Sequence, residues 1–230
     1  MSTEGLSMPA MLSPSARHRR AMVDGQIRTY EVTDRALLTM MEEVERERFL
    51  PPAQAEFAYS DRAIRVGART LLAPMVLARM LQGGAIQPSD AVLDVGANLG
   101  YCAAILAGLA LRVVALESEP ALAAQARANL ADLATVRVVE GPLPAGAPAE
   151  GPFDVIFVEG AIEEGHDALV AQLRDGGRLI AIMPGPKPTA GVTGQASRLE
   201  KIAGHLSGRP LFSAAAATLP GFARAPRFIF

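Results

Sequence analysis

A chain of 230 residues with 50% hydrophobic and 20% charged residues is globular and long enough for one α/β core with an extension. Its formal charge of −2 leaves no electrostatic footprint for nucleic acid or an anionic membrane, and its single cysteine, Cys102, excludes an internal disulfide and a cysteine-rich zinc site. The longest apolar run, residues 101–111, falls short of the roughly 20 residues that span a bilayer, and residues 1–10 lack the regions of a signal peptide, so a cytoplasmic protein is expected.

Residues 1–12 read as a frayed tail. Ser13-Pro14 sets an N-cap before a proline at the first helical position, and Ala16, Met22, Val23 and Ile27 form the apolar face of a helix reaching about Tyr30. The basic run Arg17-His18-Arg19-Arg20 reads as the solvated face of that helix. Thr33 is expected to cap a second helix, in which Ala36, Leu37, Met40, Met41 and Val44 recur at helical spacing until Pro51-Pro52 stops it. Residues 57–67 read as loop and short strand, and residues 71–81 as a third helix with Pro74 in its first turn and Gly83-Gly84 beyond its end. From Ala91 the pattern predicts strands at 91–95, 112–116, 135–139, 153–158 and 178–183, with helices at about 101–108, 120–130 and 163–173. Residues 185–191 are a turn-rich loop, 197–202 and 210–213 two further strands, and 227–230 an apolar end for the sheet edge. This alternation predicts a doubly wound, mostly parallel sheet, with residues 13–84 a helical region packed on a core domain of residues 85–230.

The apolar strand Val92-Leu93-Asp94-Val95 runs into the turn Gly96-Ala97-Asn98-Leu99-Gly100 and, at Tyr101, into an apolar helix. A doubly buried strand feeding a helix N-terminus offers free N–H groups and a positive dipole end to a nucleotide-like ligand. A dinucleotide fingerprint requires glycines at 96, 98 and 101, and only the first is present. The G-x-G-x-G spacing of an S-adenosylmethionine site, which admits an amino-acid moiety and a nucleoside, matches Gly96 and Gly100 and departs only at Asn98. Asparagine tolerates positive φ, so the turn survives, while its amide either fills the methionyl pocket or hydrogen-bonds within it. Glu117, 21 positions after Gly96 at the end of the next strand, is placed to accept the ribose hydroxyls; its alternative role is a solvated strand-end acid. Cys102 reads as a small buried residue rather than a dipole-activated thiol, and His18, His166 and His205 lack ligand spacing, so no metal is expected. Glu159, Glu163 and Glu164 cluster after the fourth core strand, where one of them faces the pocket or they simply open a helix.

Several blocks, in order along the chain, resemble the bacterial-type protein-L-isoaspartate O-methyltransferase family: Met22-Val23-Asp24-Gly25-Gln26-Ile27-Arg28, Val32-Thr33-Asp34, Val44-Glu45-Arg46-Glu47-Arg48-Phe49-Leu50-Pro51, Ala58-Tyr59-Ser60-Asp61, residues 67–80, Gly151-Pro152-Phe153-Asp154-Val155-Ile156 and residues 172–179. The resemblance implies a Rossmann-like fold using S-adenosyl-L-methionine, with isoaspartyl-containing proteins or peptides as partners and repair of their damaged linkage as the purpose. It implies cofactor contacts from Asp94, Gly96, Asn98, Gly100, Glu117, Glu140 and Gly141, and substrate contacts from Thr70, Leu72 and Pro74. No catalytic residue is expected, because a carboxylate with a pKa of roughly 4 is already ionised and attacks a sulfonium methyl without a base. Three positions depart from the family pattern. Leu72 stands where the family has a substrate-facing serine, Asn98 where it has the middle glycine, and Pro142 where an acid lies near the adenine. These departures keep open a methyltransferase for another acceptor or a non-catalytic interaction protein with this fold.

Overall fold

The computed structural model describes residues 13–185 and 194–224. The expectations for residues 1–12 and 227–230, and for most of the loop at 185–191, lie outside the described residues. Helix α1 (Pro14–Met22) starts as the sequence implies, with Ser13 Oγ accepting from Ala16 N at 3.1 Å, and continues as a π-turn and a 3-10 turn to Tyr30. Helix α2 (Arg35–Glu43) is capped by Asp34, whose carboxylate accepts from Leu37 N at 3.1 Å, and not by Thr33. It ends well before Pro51 because the chain turns at Val44 into 3-10 helices at Arg46–Phe49 and Pro52–Phe57. The basic run is not wholly solvated either: Arg19 is buried and donates to the Glu42 carbonyl and the Tyr59 hydroxyl.

Strands β1 (Ile64–Val66) and β2 (Arg69–Leu71) form a small antiparallel hairpin, so the segment expected to begin the third helix at Leu71 is still strand. Helix α3 (Pro74–Gly84) begins three residues later, where Pro74 has no N–H to lose, and it absorbs the two glycines expected beyond its end. The core then alternates: β3 (Ala91–Val95), α4 (Tyr101–Ala107), β4 (Arg112–Glu117), α5 (Pro120–Asn129), β5 (Val136–Glu140), β6 (Phe153–Ala161), α6 (Asp167–Ala171) and β7 (Leu173–Met183). Strands β8 (Gly194–Ile202) and β9 (His205–Ala214) are longer than expected and close as a hairpin, with Ala203 and Gly204 both at positive φ (50° and 78°), as a two-residue I′ turn demands.

The main sheet has the order β5-β4-β3-β6-β7-β8-β9, parallel through β7 and antiparallel beyond it. The order reverses between β3 and β6. Right-handed crossovers therefore place α4 and α5 on one face and send α6 to the other. Alternate residues serve the two faces: Val92, Val113, Val155 and Phe157 pack with α1 to α5, whereas Leu93, Val95, Leu116, Ile156 and Val158 pack with Leu169 of α6. Helix α6 is only five residues long, against the eleven expected at 163–173, and Glu163 and Glu164 precede it rather than open it. Leu143, Ala147, Leu219 and Phe222 complete the cover of that face, which brings the segment after β9 across the carboxyl ends of the strands.

Arg178 of β7 ties the two halves together. Its guanidinium donates to Gly84 O at 2.5 Å, Ala85 O at 2.7 Å and Asp90 Oδ2 at 2.6 Å, joining the end of α3 and the start of β3 to the sheet centre. Both side chains are buried, so removing one partner strands a charge. Arg178→Ala is expected to lower the unfolding free energy by about 3 kcal/mol in urea titrations, and a loss under about 1 kcal/mol would show that the pair is not a structural tie.

Candidate cofactor site

The turn after β3 lies at the sheet's reversal point, where α/β folds bind ligands. Gly96, Asn98 and Gly100 take φ of 82°, 54° and 96°, so asparagine does adopt the left-handed conformation of the glycine it replaces. Gly96 N and Ala97 N donate to Leu116 O of β4 at 2.9 and 3.1 Å, holding the turn against the strand that carries Glu117. The Asn98 side chain is buried, and neither its oxygen nor its nitrogen has a hydrogen-bond partner.

Glu117 is fully buried and is not the solvated acid of the alternative reading. Its Oε1 accepts from Arg69 Nη2 (2.5 Å), Ser118 N (2.7 Å) and Glu119 N (2.9 Å), and its Oε2 from Asn98 N (3.0 Å) and Arg69 Nε (3.3 Å). Five N–H bonds on two oxygens exceed the roughly four acceptor positions of a carboxylate, so no capacity remains for ribose hydroxyls while Arg69 stays bound.

Asp94 and Glu159, on adjacent strands β3 and β6, lie with the Cys102 thiol so that one polar atom of each falls within 4.8 Å of the others. All four carboxyl oxygens are buried without a hydrogen-bond partner. Burial pushes the Asp94 carboxyl up to about 7, with the closeness of the Glu159 carboxyl opposing and the charge of Glu117 adding. Burial and then the charge of Asp94 push Glu159 well above the usual carboxylate range, against the weaker pull of Arg46. The Cys102 thiol is raised by burial and by both carboxyls, which keeps it protonated and inert as the sequence implies. Arg46, also fully buried, lies with its guanidinium carbon 4.7 Å from the Tyr101 ring centroid and donates from Nη2 to Leu72 O at 2.7 Å, leaving Nε and Nη1 without partners.

Thr70 and Leu72 meet Arg69 and Glu159 around a cavity of about 20 Å³, whereas Pro74, at the start of α3, does not line it. That volume holds about one water, and ligand pockets run from about 300 to 1,000 Å³. The remaining wall is the strap of residues 216–220. Ala217 O accepts from Ala161 N and Leu219 N donates to Ala161 O, both at 3.0 Å, and Thr218 Oγ1 donates to Glu163 Oε1 at 2.8 Å. Leu219 thereby comes close over the turn: a β-carbon at Gly96 would lie 3.0 Å from its Cδ1, and one at Gly160 2.7 Å from its Cγ. On the other side of the strap, Ser118, Glu140, Gly141, Pro142 and Leu143 border an open depression of about 460 Å³ with Pro220 and Gly221. The Glu140 side chain is 41% exposed and pairs with Arg127 at 3.6 Å.

Against known proteins, the family model for protein-L-isoaspartate(D-aspartate) O-methyltransferase (PCMT) matches residues 17–202. The chain belongs to that family. It is 42% identical over 175 residues to a protein-L-isoaspartate O-methyltransferase of Methanoregula boonei, covering 75% of this chain and 81% of that one. A Methylorubrum populi relative of the same name is 42% identical over 164 residues, with 70% and 77% covered. Two solved structures share the fold. One, described as protein-L-isoaspartate O-methyltransferase, has a TM-score of 0.74 at 24% identity, covering 88% of this chain and 66% of that longer one. The other, from Plasmodium falciparum and described as a beta-aspartate methyltransferase in complex with S-adenosyl-L-homocysteine, has a TM-score of 0.73 at 19% identity, with 87% and 97% covered. The protein is thus a methyltransferase-fold member of the PCMT family, with the Rossmann-like sheet the sequence predicts.

The structure brings Asp94, Gly96, Asn98, Gly100 and Glu117 to one turn, and Glu140 and Gly141 to the depression beyond the strap. Sequence reasoning gave no role to Arg46, Arg69, Tyr101 or Leu219. Arg46 sits inside a quoted family block, but nothing local to 214–220 signals a strap. The folded protein retains a proton at Asp94 that the unfolded chain releases near pH 4, so this group's contribution to stability is full below that pH and is lost as pH rises through about 7. Urea unfolding is expected to show a fall on the order of 1 kcal/mol per pH unit between about pH 5 and about pH 7. The slope should be shallower in Asp94→Asn, and a flat wild-type profile would contradict the buried protonated pair.

Proposed function

We propose that the protein transfers a methyl group from S-adenosyl-L-methionine to the free carboxylate of isoaspartyl residues, as a repair enzyme acting on isoaspartyl-containing proteins or peptides. The observation that carries this reading is the set of buried polar atoms without partners at the reversal point: Asp94 and Glu159 carboxyls, the Asn98 amide, the Tyr101 hydroxyl and the Arg46 Nε and Nη1. Unpaired buried polar groups cost free energy, and a ligand with both an ammonium and a carboxylate matches a set containing acids, an amide and a guanidinium. The residues therefore fit the methionyl end of this cofactor.

When bound, S-adenosyl-L-methionine supplies an electrophilic methyl group on a sulfonium. Glu117 would accept the ribose hydroxyls in exchange for Arg69, and the depression at Glu140 to Leu143 would take the adenine, with Pro142 offering surface but no N–H. Gly96 permits close approach once Leu219 withdraws. The acceptor side is the cavity at Thr70, Leu72 and Glu159, where the buried Leu72 and the strap exclude water. Because the acceptor carboxylate is already ionised, orientation and dryness are what the chain must provide.

At about 100 times Kd, S-adenosylmethionine or S-adenosylhomocysteine is expected to add roughly 2.7 kcal/mol of stability, seen as a melting shift of several degrees. Labelled methyl is then expected in an isoaspartyl peptide and not in its aspartyl counterpart. A shift without isoaspartyl labelling points to another acceptor, for which the apolar Leu72 is the motive, and no shift at millimolar ligand rules out both enzyme readings.

A further inference from the structure

Asp94 sits one residue before the end of β3, and Glu159 follows Val158, which pairs with Val95, so both flank the turn at Gly96. Their four oxygens are buried without partners, and Glu159 also lines the small cavity that faces Thr70 and Leu72. The groups around them are Cys102 and Tyr101 from α4, Glu117 from β4, Arg46 from the 3-10 helix after α2, and Arg69 from β2 across the cavity. Arg46 pulls on Glu159, but burial and the charge of Asp94 outweigh it, and neither arginine hydrogen-bonds either acid. Arg69 is committed to Glu117, and Arg46 is held over Tyr101 and on Leu72 O.

We infer that Asp94 and Glu159 together form a cation receptor, which gives up a shared proton in exchange for positive charge on the methyl donor; this rests on the cofactor reading above. Two carboxyls this close and this dry do not both ionise without a full counter-charge, so the pair keeps one proton. A ligand cation supplies the missing charge. The exchange balances: the protein enters with one proton on the pair, the ligand's charge takes its place, and the proton leaves to buffer. The charge is either the α-ammonium, present in both S-adenosylmethionine and S-adenosylhomocysteine, or the sulfonium, present only in the donor. If it is the sulfonium, the same pair holds the donor and releases the neutral thioether product. Glu159 is then a specificity-determining residue supplied by β6, beyond the glycine turn.

Isothermal titration of the full chain with each ligand, in two buffers of different ionisation enthalpy, counts the protons released. At about pH 6.5, where an α-amine is already protonated, the wild type is expected to release close to one proton per donor bound. In Glu159→Gln, which keeps the shape, most of that release is lost and donor affinity falls about tenfold; Asp94→Asn behaves alike, with circular dichroism confirming that both fold. Release with the donor alone assigns the sulfonium, and release with both ligands assigns the ammonium. Binding without proton release, or release unchanged in Glu159→Gln, overturns this inference and leaves the cofactor reading standing. Failure of both ligands to bind the wild type overturns that reading and this inference with it.

Discussion

The buried ion pair between Arg69 and Glu117 is the constraint on which the site depends. Burying two charges costs several kcal/mol per ion, and attraction offsets that only where the geometry is good and the remaining lone pairs are satisfied. Here the backbone N–H groups of Asn98, Ser118 and Glu119 complete the shell. One carboxylate therefore fixes the left-handed Asn98 turn, the end of β4 and the β1–β2 hairpin at once. The same carboxylate is the acid that the proposed function assigns to the ribose, so in that proposal folding and cofactor binding draw on one group.

That sharing explains the rest of the geometry. With Arg69 on Glu117 and Leu219 over Gly96, the route from the open depression at Glu140 to the acids at Asp94 and Glu159 is divided by the 216–220 strap. The buried pair beyond the strap holds a proton because burial and the mutual repulsion of the two acids outweigh the weaker pull of Arg46. Under the proposed function, a cofactor entering by this route would exchange three interactions of the fold for its own: ribose for Arg69, its nucleoside for Leu219, and positive charge for a proton.

The strand and helix order was legible because it rests on local signals. Val92 to Val95 alternate between two buried faces, Pro14 and Pro74 begin helices, and positive φ falls on residues that tolerate it at Gly96, Asn98 and Gly100. The ends of elements were less legible: Asp34 outcompeted Thr33 as a cap because its carboxylate reaches Leu37 N, and α6 shortened where Phe222 O took the N–H groups of Glu163 and Glu164. The site's long-range partners were not legible at all. Arg69 meets Glu117 across 48 positions and Leu219 covers Gly96 from the far end of the chain, and such pairings carry no periodicity. The three departures from the family pattern have unequal consequences. Asn98 keeps the turn, Leu72 leaves its cavity wall apolar, and Pro142 borders an open surface.

A crystal structure of the protein with S-adenosylhomocysteine tests this account most directly. It is expected to show the ribose hydroxyls on Glu117 with Arg69 displaced, and Leu219 moved away from Gly96. A bound ligand that leaves both the Arg69–Glu117 pair and the Leu219 contact in place would contradict it.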